Sequence, residues 1–570
     1  MPSITNNQHL QIGISKSAIA HWQSAIAFAA VASFLTIVPA ILWGVPSNID
    51  LTNHFRFAVP FYDAIAAGHF YPGWLAESNG GYGDPSFRFY PPALYYLLAA
   101  ARLLSGNWYS ATLIVFATLS TVAGLGMYFW ARSILPSSSA SWAALFYALA
   151  PYHLNQLYQA TLLAEWAGSA VLPFVFGFVE RVCNGGKRRD IAGLGITYGL
   201  LLFTHLPLAI IGSIALVVYA LVRIQGPDKV RKLARLSLGA GLGLSVSAVY
   251  WVTMVSEIRW IGVNQIQHDA SVDYRFNFVF STFSPDNLNV WWMNIMVLMT
   301  LLLFAPALLL VVAPLRGRPF SEGVRQSERA ATECRPYKRP VIAMTLFALF
   351  MSLPLSRPVW WLLKPLQETQ FPWRWLVLIS MGGSILAAAT LPAVFKLNRS
   401  GRLLTLGAMA VSVAFTLSHV VREAQYFPPQ KFENMITNVR GSSCVNYWFP
   451  IWAQPNPRKM AEVEAADRAV NVSAWQPEHR TFSVAAGPAT EARVRTFYYP
   501  HWTATSEGRT LSTRPDKDGA LLISLPQNAT SIALDFREPR KTNFSTITSL
   551  SGLILLGALA VPLRRRRSNG

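Results

Sequence analysis

Asp50 and His54 stand four residues apart, directly after the first long apolar run of the chain. On a helix that spacing puts both side chains on one face. A carboxylate partly withdrawn from water is a stronger base than a solvated one, and it can take a proton from an acceptor hydroxyl. The same pair would supply half of a divalent-metal site. It also suits a plain helix start, because Asn48 and Asp50 are both good N-cap residues. The two open a polar stretch, Asp50–Pro92, which carries Arg56, Asp63, His69, Glu77, Asp84 and Arg88 among aromatic residues, Gly and Pro.

Three further groups could take part. Glu165 follows the polar aromatic stretch PYHLNQLYQATLLAE, which contains His153. Acidic groups at the ends of membrane helices are costly and often mark sites, but a Glu in interfacial water has the same sequence signature. His153, like His205, is a lone His at a helix end and suits a structural role as well as a ligand's. The stretch KPLQETQFPWRWL brings Lys364 and Arg374 together with Trp373 and Trp375. Arg binds phosphate bidentately, so it suits a lipid phosphate; belt Trp and snorkelling Arg give the same pattern. The glycine run Asn79–Pro85 has no Lys-Ser/Thr after it and is not a nucleotide loop. It presents Tyr82 and Asp84, which suit sugar binding or interfacial packing.

The elements that must position these residues are membrane helices. Hydrophobic residues make up 52% of the 570 and charged residues 13%, against about 25% charged in a soluble domain. Several runs exceed the ~18 apolar residues of a membrane-spanning helix. The formal charge of +20 sits in short loops between apolar runs. That fits the positive-inside rule and argues against nucleic acid. Cys183, Cys334 and Cys444 have neither metal-type spacing nor a disulfide framework.

Apolar segments from 23–44 to 546–563 predict a mainly α, polytopic membrane protein of about 12–13 transmembrane helices. The basic loops at Lys187–Arg189, Arg223–Arg235, Arg316–Arg339, Lys396–Arg402 and Arg564–Arg567 are separated by pairs of apolar segments, so all lie on one side, the cytoplasm. Segment 91–104 then dips without crossing. The expected order is a cytoplasmic N-terminus (1–22), a transmembrane domain (23–421) with a first outer loop (45–92), and an extracytoplasmic domain (422–545). A last helix (546–563) and a basic tail (564–570) follow. The extracytoplasmic domain starts irregular and turns strand-like at 480–538, where apolar and polar residues alternate, predicting a small β-sandwich.

The first loop reads D-x-x-x-H-x-x-R, then GHFYPGW, GYGDP and FYPPALYYL; QFPWRW follows at Gln370–Trp375 and YYPHWTA at Tyr498–Ala504. In these motifs the chain resembles the bacterial 6-pyruvoyl-tetrahydropterin synthase-related membrane proteins, of the GT-C glycosyltransferase superfamily and similar to YfhO-like proteins. The resemblance implies a GT-C fold in the bacterial inner membrane with its active face extracytoplasmic. It implies sugar transfer from a polyprenyl-phosphate-linked donor to a glycan, lipid or protein acceptor. The essential acidic residue of that superfamily falls on Asp50, with His54 and Glu165 beside it. Arg374, with Lys364, would hold the donor phosphate, and Arg56, Tyr82, Asp84 and His153 would contact substrate. A single Asp followed by His54, rather than an Asp pair, leaves a divalent ion as an option at Asp50 and His54. The alternative is a non-catalytic scaffold or transporter that keeps the fold. Ionisable residues sit at helix ends and no internal repeat stands out, which argues against a transporter.

Overall fold

The computed structural model describes residues 16–262, 271–284, 286–308, 325–442, 448–488 and 490–561. The N-terminal residues 1–15, Cys444, residues 316–324 of the basic loop and the four terminal arginines lie outside them, and the side chain of Cys334 is not described. Cys183 is buried and unpaired in a disulfide.

Helices dominate. Seven among the described residues are long and apolar enough to cross a membrane, and up to nine if each of two sharply bent pairs is one span. The bends are 69° between Val246 and Ala248 and 89° between Ser352 and Pro354. Proline explains the second, since it cannot continue a helical hydrogen-bond ladder. The sequence count of about 12–13 helices includes segments that form short helices. Segment 91–104 becomes the 13-residue helix Ala93–Ser105. At 1.5 Å per residue it reaches about 20 Å, short of a ~30 Å hydrocarbon core. Segment 138–150 gives only Ser137–Ala148, and 191–205 gives Arg188–Thr204, which opens on two Arg and an Asp.

Leu163–Asn184 and Pro372–Val394 form the centre of the bundle, each 83% buried over its span, whereas Arg540–Ala560 rides on the edge at 22%. The two central helices begin at Glu165 and Arg374, so both residues enter the packed interior at the same end of the bundle.

The first long helix, Lys16–Trp43, does not continue to Asp50. It stops, and the chain forms a short ribbon in which β1 (Val45–Pro46) pairs antiparallel with β2 (Tyr426–Phe427). A new helix, Leu51–Ala66, then starts with Asp50 at its N-cap position, although the Asp50 side chain makes no capping bond. The four-residue relation of Asp50 to His54 therefore belongs to this second helix.

The stretch expected to be irregular before the sandwich contains an 11-residue helix, Pro429–Val439. Phe432, Met435, Ile436 and Val439 form its buried stripe, at i, i+3, i+4 and i+7 spacing. Pro429 sits at the first helical position, where its missing N–H costs nothing. Phe432 packs edge-on to Phe55, with ring centres 5.1 Å apart.

The sandwich begins at Val463, earlier than the expected 480. Its strands are β3 (Val463–Ala465), β4 (Val470–Trp475), β5 (His479–Val484), β6 (Thr490–Phe497), β7 (Trp502–Ser506), β8 (Arg509–Leu511), β9 (Thr513–Pro515), β10 (Ala520–Leu525) and β11 (Thr530–Phe536). One sheet runs β3-β6-β10-β9 and the other β4-β5-β11-β7-β8, all antiparallel. The two early strands are edge strands, and β4 shows only weak in–out alternation. A polar edge strand gives little periodic signal, which is why the sequence pattern starts late. Trp74 and Tyr82 of the first loop complete the sandwich core, packed with Phe497, Tyr499, Trp502 and Phe536.

Candidate functional site

Two buried polar clusters occupy the sandwich-bearing end of the molecule. The first forms where the Leu51–Ala66 helix meets the start of Leu163–Asn184. The Oγ1 of Thr161 accepts from the backbone N–H of Asp50 and of Leu51, both at 3.2 Å. This fixes the start of the helix against the second element. His54 is buried; its Nε2 accepts from the backbone N–H of Leu163 at 3.0 Å. That bond leaves the ring proton on Nδ1, which lies 3.1 Å from the Tyr95 hydroxyl. The Asp50 Oδ2 to His54 Nε2 distance of 3.6 Å is accordingly a close approach without a proton between the two. Burial pushes the His54 imidazole below its usual range, against the pull of the Asp50 carboxylate.

Asp50 keeps 27% of its side chain accessible. Its Oδ1 accepts from Asn53 Nδ2 at 2.9 Å, and Asn53 Oδ1 accepts from Arg56 at 3.0 Å. No side chain among the described residues donates to Oδ2. Glu165 is the opposite case. It is 1% exposed, and its carboxylate accepts from Tyr152 at 2.6 Å, Gln156 at 2.7 Å and Arg374 Nε at 2.8 Å. Arg374 also donates from Nη1 to the Thr369 carbonyl at 2.5 Å, and its guanidinium lies over the Phe371 ring at 4.8 Å. Its Nη2 makes no hydrogen bond among the described residues. The Tyr90 hydroxyl lies within electrostatic reach of Asp50, Arg374 and Glu165 together, which ties the three into one neighbourhood.

An apolar cavity of about 340 Å³ opens beside this cluster, lined by Tyr198, Leu202, Ile210, Ile214, Leu363 and Leu366. The Leu366 carbonyl accepts from Thr369, the same residue that accepts from Arg374. Lys364 is exposed between two cavity-lining residues and is not brought into contact with Arg374.

The second cluster lies where the first loop meets the sandwich. Arg88, 2% exposed, grips Glu257 through Nε (2.5 Å) and Nη2 (2.9 Å), and Glu538 through Nη1 (2.5 Å) and Nη2 (3.0 Å). Glu257 also accepts from Tyr499 at 2.8 Å and lies 3.0 Å from His501 Nε2. One guanidinium thus joins the loop, the end of the Ala248–Glu257 helix, the sandwich and the entry to the last helix. A Cβ on Gly73 would come within 2.8 Å of Arg88 Nη1, and one on Gly83, whose φ is +84°, would lie 2.3 Å from the Trp74 ring. Gly73 and Gly83 are therefore required for close packing, whereas Gly68, with φ +95° and nothing within 4 Å of an added Cβ, serves the turn after the Leu51–Ala66 helix.

Two expected substrate contacts, Tyr82 and Asp84, fall outside the Asp50 cluster for this reason, and a third, His153, is taken up by packing within the bundle. Tyr82 is in the sandwich core and donates its hydroxyl to the Arg458 carbonyl at 2.7 Å. Asp84 is fully buried and accepts from the backbone and hydroxyl of Ser86, turning the loop toward Arg88. His153 is buried in the bundle, accepting from Trp166 Nε1 at 3.1 Å and facing Ser169. Arg56 lies six residues on from Asp50 and is linked to it through Asn53. Among the described residues no three His, Cys, Asp or Glu side chains gather as a metal site. Both ring nitrogens of His54 are engaged, so the Asp50–His54 pair does not fit as a metal site and no step is derived through an ion. Arg88, Glu257, Glu538, Tyr499 and His501 went unselected by sequence reasoning. The available signals were an acidic residue ending an apolar run, Glu257, and the motif YYPHWTA itself.

Fold and site together define a multi-pass membrane protein whose β-sandwich is clamped onto a helical bundle by its first loop. The family model described as 6-pyruvoyl-tetrahydropterin synthase related domain, membrane protein, matches residues 87–427. The chain belongs to that family. A search of curated proteins finds no match by sequence. Among solved structures, the chain is similar to the arabinofuranosyltransferase AftD from Mycobacteria at 17% identity and TM-score 0.44, covering 70% of this chain and 27% of that one. It is similar to ArnT from Cupriavidus metallidurans, solved with undecaprenyl phosphate, at 14% and 0.41, covering 74% and 77%. The arabinosyltransferase EmbB from Mycobacterium smegmatis matches at 13% and 0.38, covering 93% and 64%. These likenesses are weak in both measures and assign no activity.

Proposed function

We propose that the protein is a membrane glycosyltransferase of GT-C type. It moves a sugar from a polyprenyl-phosphate-linked donor to an acceptor hydroxyl on the sandwich-bearing, extracytoplasmic side. The observation that carries this reading is the unequal use of two neighbouring carboxylates. Glu165 has its acceptor capacity filled and holds Arg374 in place. Asp50 keeps an accessible oxygen with no donor, and a base needs that open position.

Asp50 Oδ2 takes the proton of the acceptor hydroxyl as its oxygen attacks the anomeric carbon. The bond from that carbon to the phosphate oxygen breaks, and polyprenyl phosphate leaves with the electron pair. Arg374, fixed by Glu165 and Thr369, offers Nη2 to the leaving phosphate. The apolar cavity by Leu363 and Leu366 suits the lipid chain, with Lys364 at its edge. His54, neutral and doubly hydrogen-bonded, sets the helix that carries Asp50.

Asp50→Asn tests the reading. Full-length protein in liposomes is given labelled undecaprenyl-phosphate sugars and envelope acceptors. Transfer should fall about 10²–10⁴-fold with the thermal midpoint unchanged. Full transfer by the variant would remove Asp50 from the mechanism and favour a non-catalytic scaffold.

A further inference from the structure

The sandwich carries a feature that neither cluster uses. Arg480, on β5, is 0% exposed. Its guanidinium stacks between Trp475 at 4.1 Å and Trp502 at 5.0 Å. Only Nη1 is engaged, donating to the Arg495 carbonyl at 3.1 Å. Nε and Nη2, the edge that takes a carboxylate or phosphate side-on, make no hydrogen bond among the described residues. Arg88 uses that same edge to hold Glu257.

Arg495 lies beside it, 5.8 Å from the Trp475 ring, and its Nε is also without a partner. The nearest carboxylate to Arg495 is Glu462, at 3.9 Å from Nη2. The indole N–H of Trp502 in the same cluster is unpartnered too. Every unmet group named here is a donor, so the complement is an acceptor carrying negative charge. A buried guanidinium without a hydrogen-bonded anion is costly, and a ligand that supplies one recovers part of that cost. Burial, and then the charge of Arg495, pull the Arg480 guanidinium down to about 9, and the more distant carboxylates of Glu77 and Glu462 offset this only in part.

Access is through Arg495, whose side chain is 29% exposed, and half-buried Trp475. A bulge between Val472 and Ala474 aims that end of β4. Gly81 of the first loop closes the opposite side, since a Cβ there would lie 3.2 Å from Arg495 Nε.

We propose that Arg480 and Arg495, with Trp475, form an oxyanion-binding subsite in the sandwich, taking the carboxylate or phosphate group of an envelope glycan. The site lies in the sandwich with Gly81 of the first loop at its edge, and it does not depend on sugar transfer.

Thermal unfolding of the full chain in detergent tests it. Glucuronate, inorganic phosphate and neutral glucose are titrated against sodium chloride of matched ionic strength. The midpoint should rise saturably with glucuronate or with phosphate and stay level with glucose. A rise with glucuronate alone identifies a uronic-acid ligand; a rise with phosphate alone identifies a phosphorylated one. Arg480→Met should fold without ligand and lose the rise. If it does not fold, the more exposed Arg495→Gln serves the same purpose and should weaken the rise at least tenfold in ligand concentration. No rise with either anion, or an equal rise in Arg495→Gln, overturns the proposal.

Discussion

The molecule buries two arginine–glutamate pairs at its sandwich-bearing end, and they differ in what they leave unused. In the Arg88–Glu257 pair the guanidinium is shared by two carboxylates, and Glu257 also receives Tyr499 and His501. In the Arg374–Glu165 pair the carboxylate is full but Arg374 Nη2 is not engaged, and the accessible carboxylate of Asp50 shares its neighbourhood. The first pair is a clamp between parts of the protein. The second has hydrogen-bonding capacity left for a ligand. Residue type and burial alone would have ranked the two as equals.

Breaking the clamp should have the largest effect on stability. Arg88→Met leaves Glu257 buried without its cation and should cost about 3–5 kcal/mol, read as a lower thermal midpoint and faster proteolysis of the sandwich. An unchanged midpoint with transfer abolished would reverse the comparison and make Arg88 the ligand-binding arginine. Arg374→Lys keeps a positive charge beside Glu165 but cannot serve Glu165, Thr369 and a phosphate at once. It should raise the KM for the lipid-linked donor by about 10–100-fold, or roughly 1.4–2.8 kcal/mol, with a smaller change in kcat. A loss of stability as large as that of Arg88→Met, with KM unchanged, would make this pair a second clamp.

The smallest effect is expected at His54. Its folded pKa is depressed by burial, so the unfolded chain binds more protons as pH falls. The stability of the neutral imidazole is complete above the ordinary value of 6.5 and is lost as pH drops toward the lower folded value. Between pH 8 and pH 5 the wild type should therefore lose more stability than His54→Gln, with the difference opening below the ordinary value of 6.5. Parallel melting curves for the two across that range would remove His54 from the linkage.

Much of the plan was legible in the chain. Hydropathy marked the long helices, alternation marked the later strands, and the spacing of Asp50 and His54 related the two, although through a second helix that begins after Asp50 and not through a continued first one. That Tyr82 lies in the sandwich core and Asp84 is buried beside it was not legible, because a Gly-, Tyr- and Asp-rich loop has one composition whether it faces a sugar or a sandwich core. Pro429–Val439 was overlooked although its apolar spacing was present, because two prolines stood in front of it.

The amino-acid sequence by itself determined which segments leave water and which polar residues sit at their ends, since burial of apolar side chains follows local pattern. Only the tertiary structure decided which polar residues meet. Arg374 reaches Glu165 across 209 residues and Arg88 reaches Glu538 across 450. Hydrogen-bond partners at such separations are chosen by the packing of whole helices and sheets, and no local pattern records them.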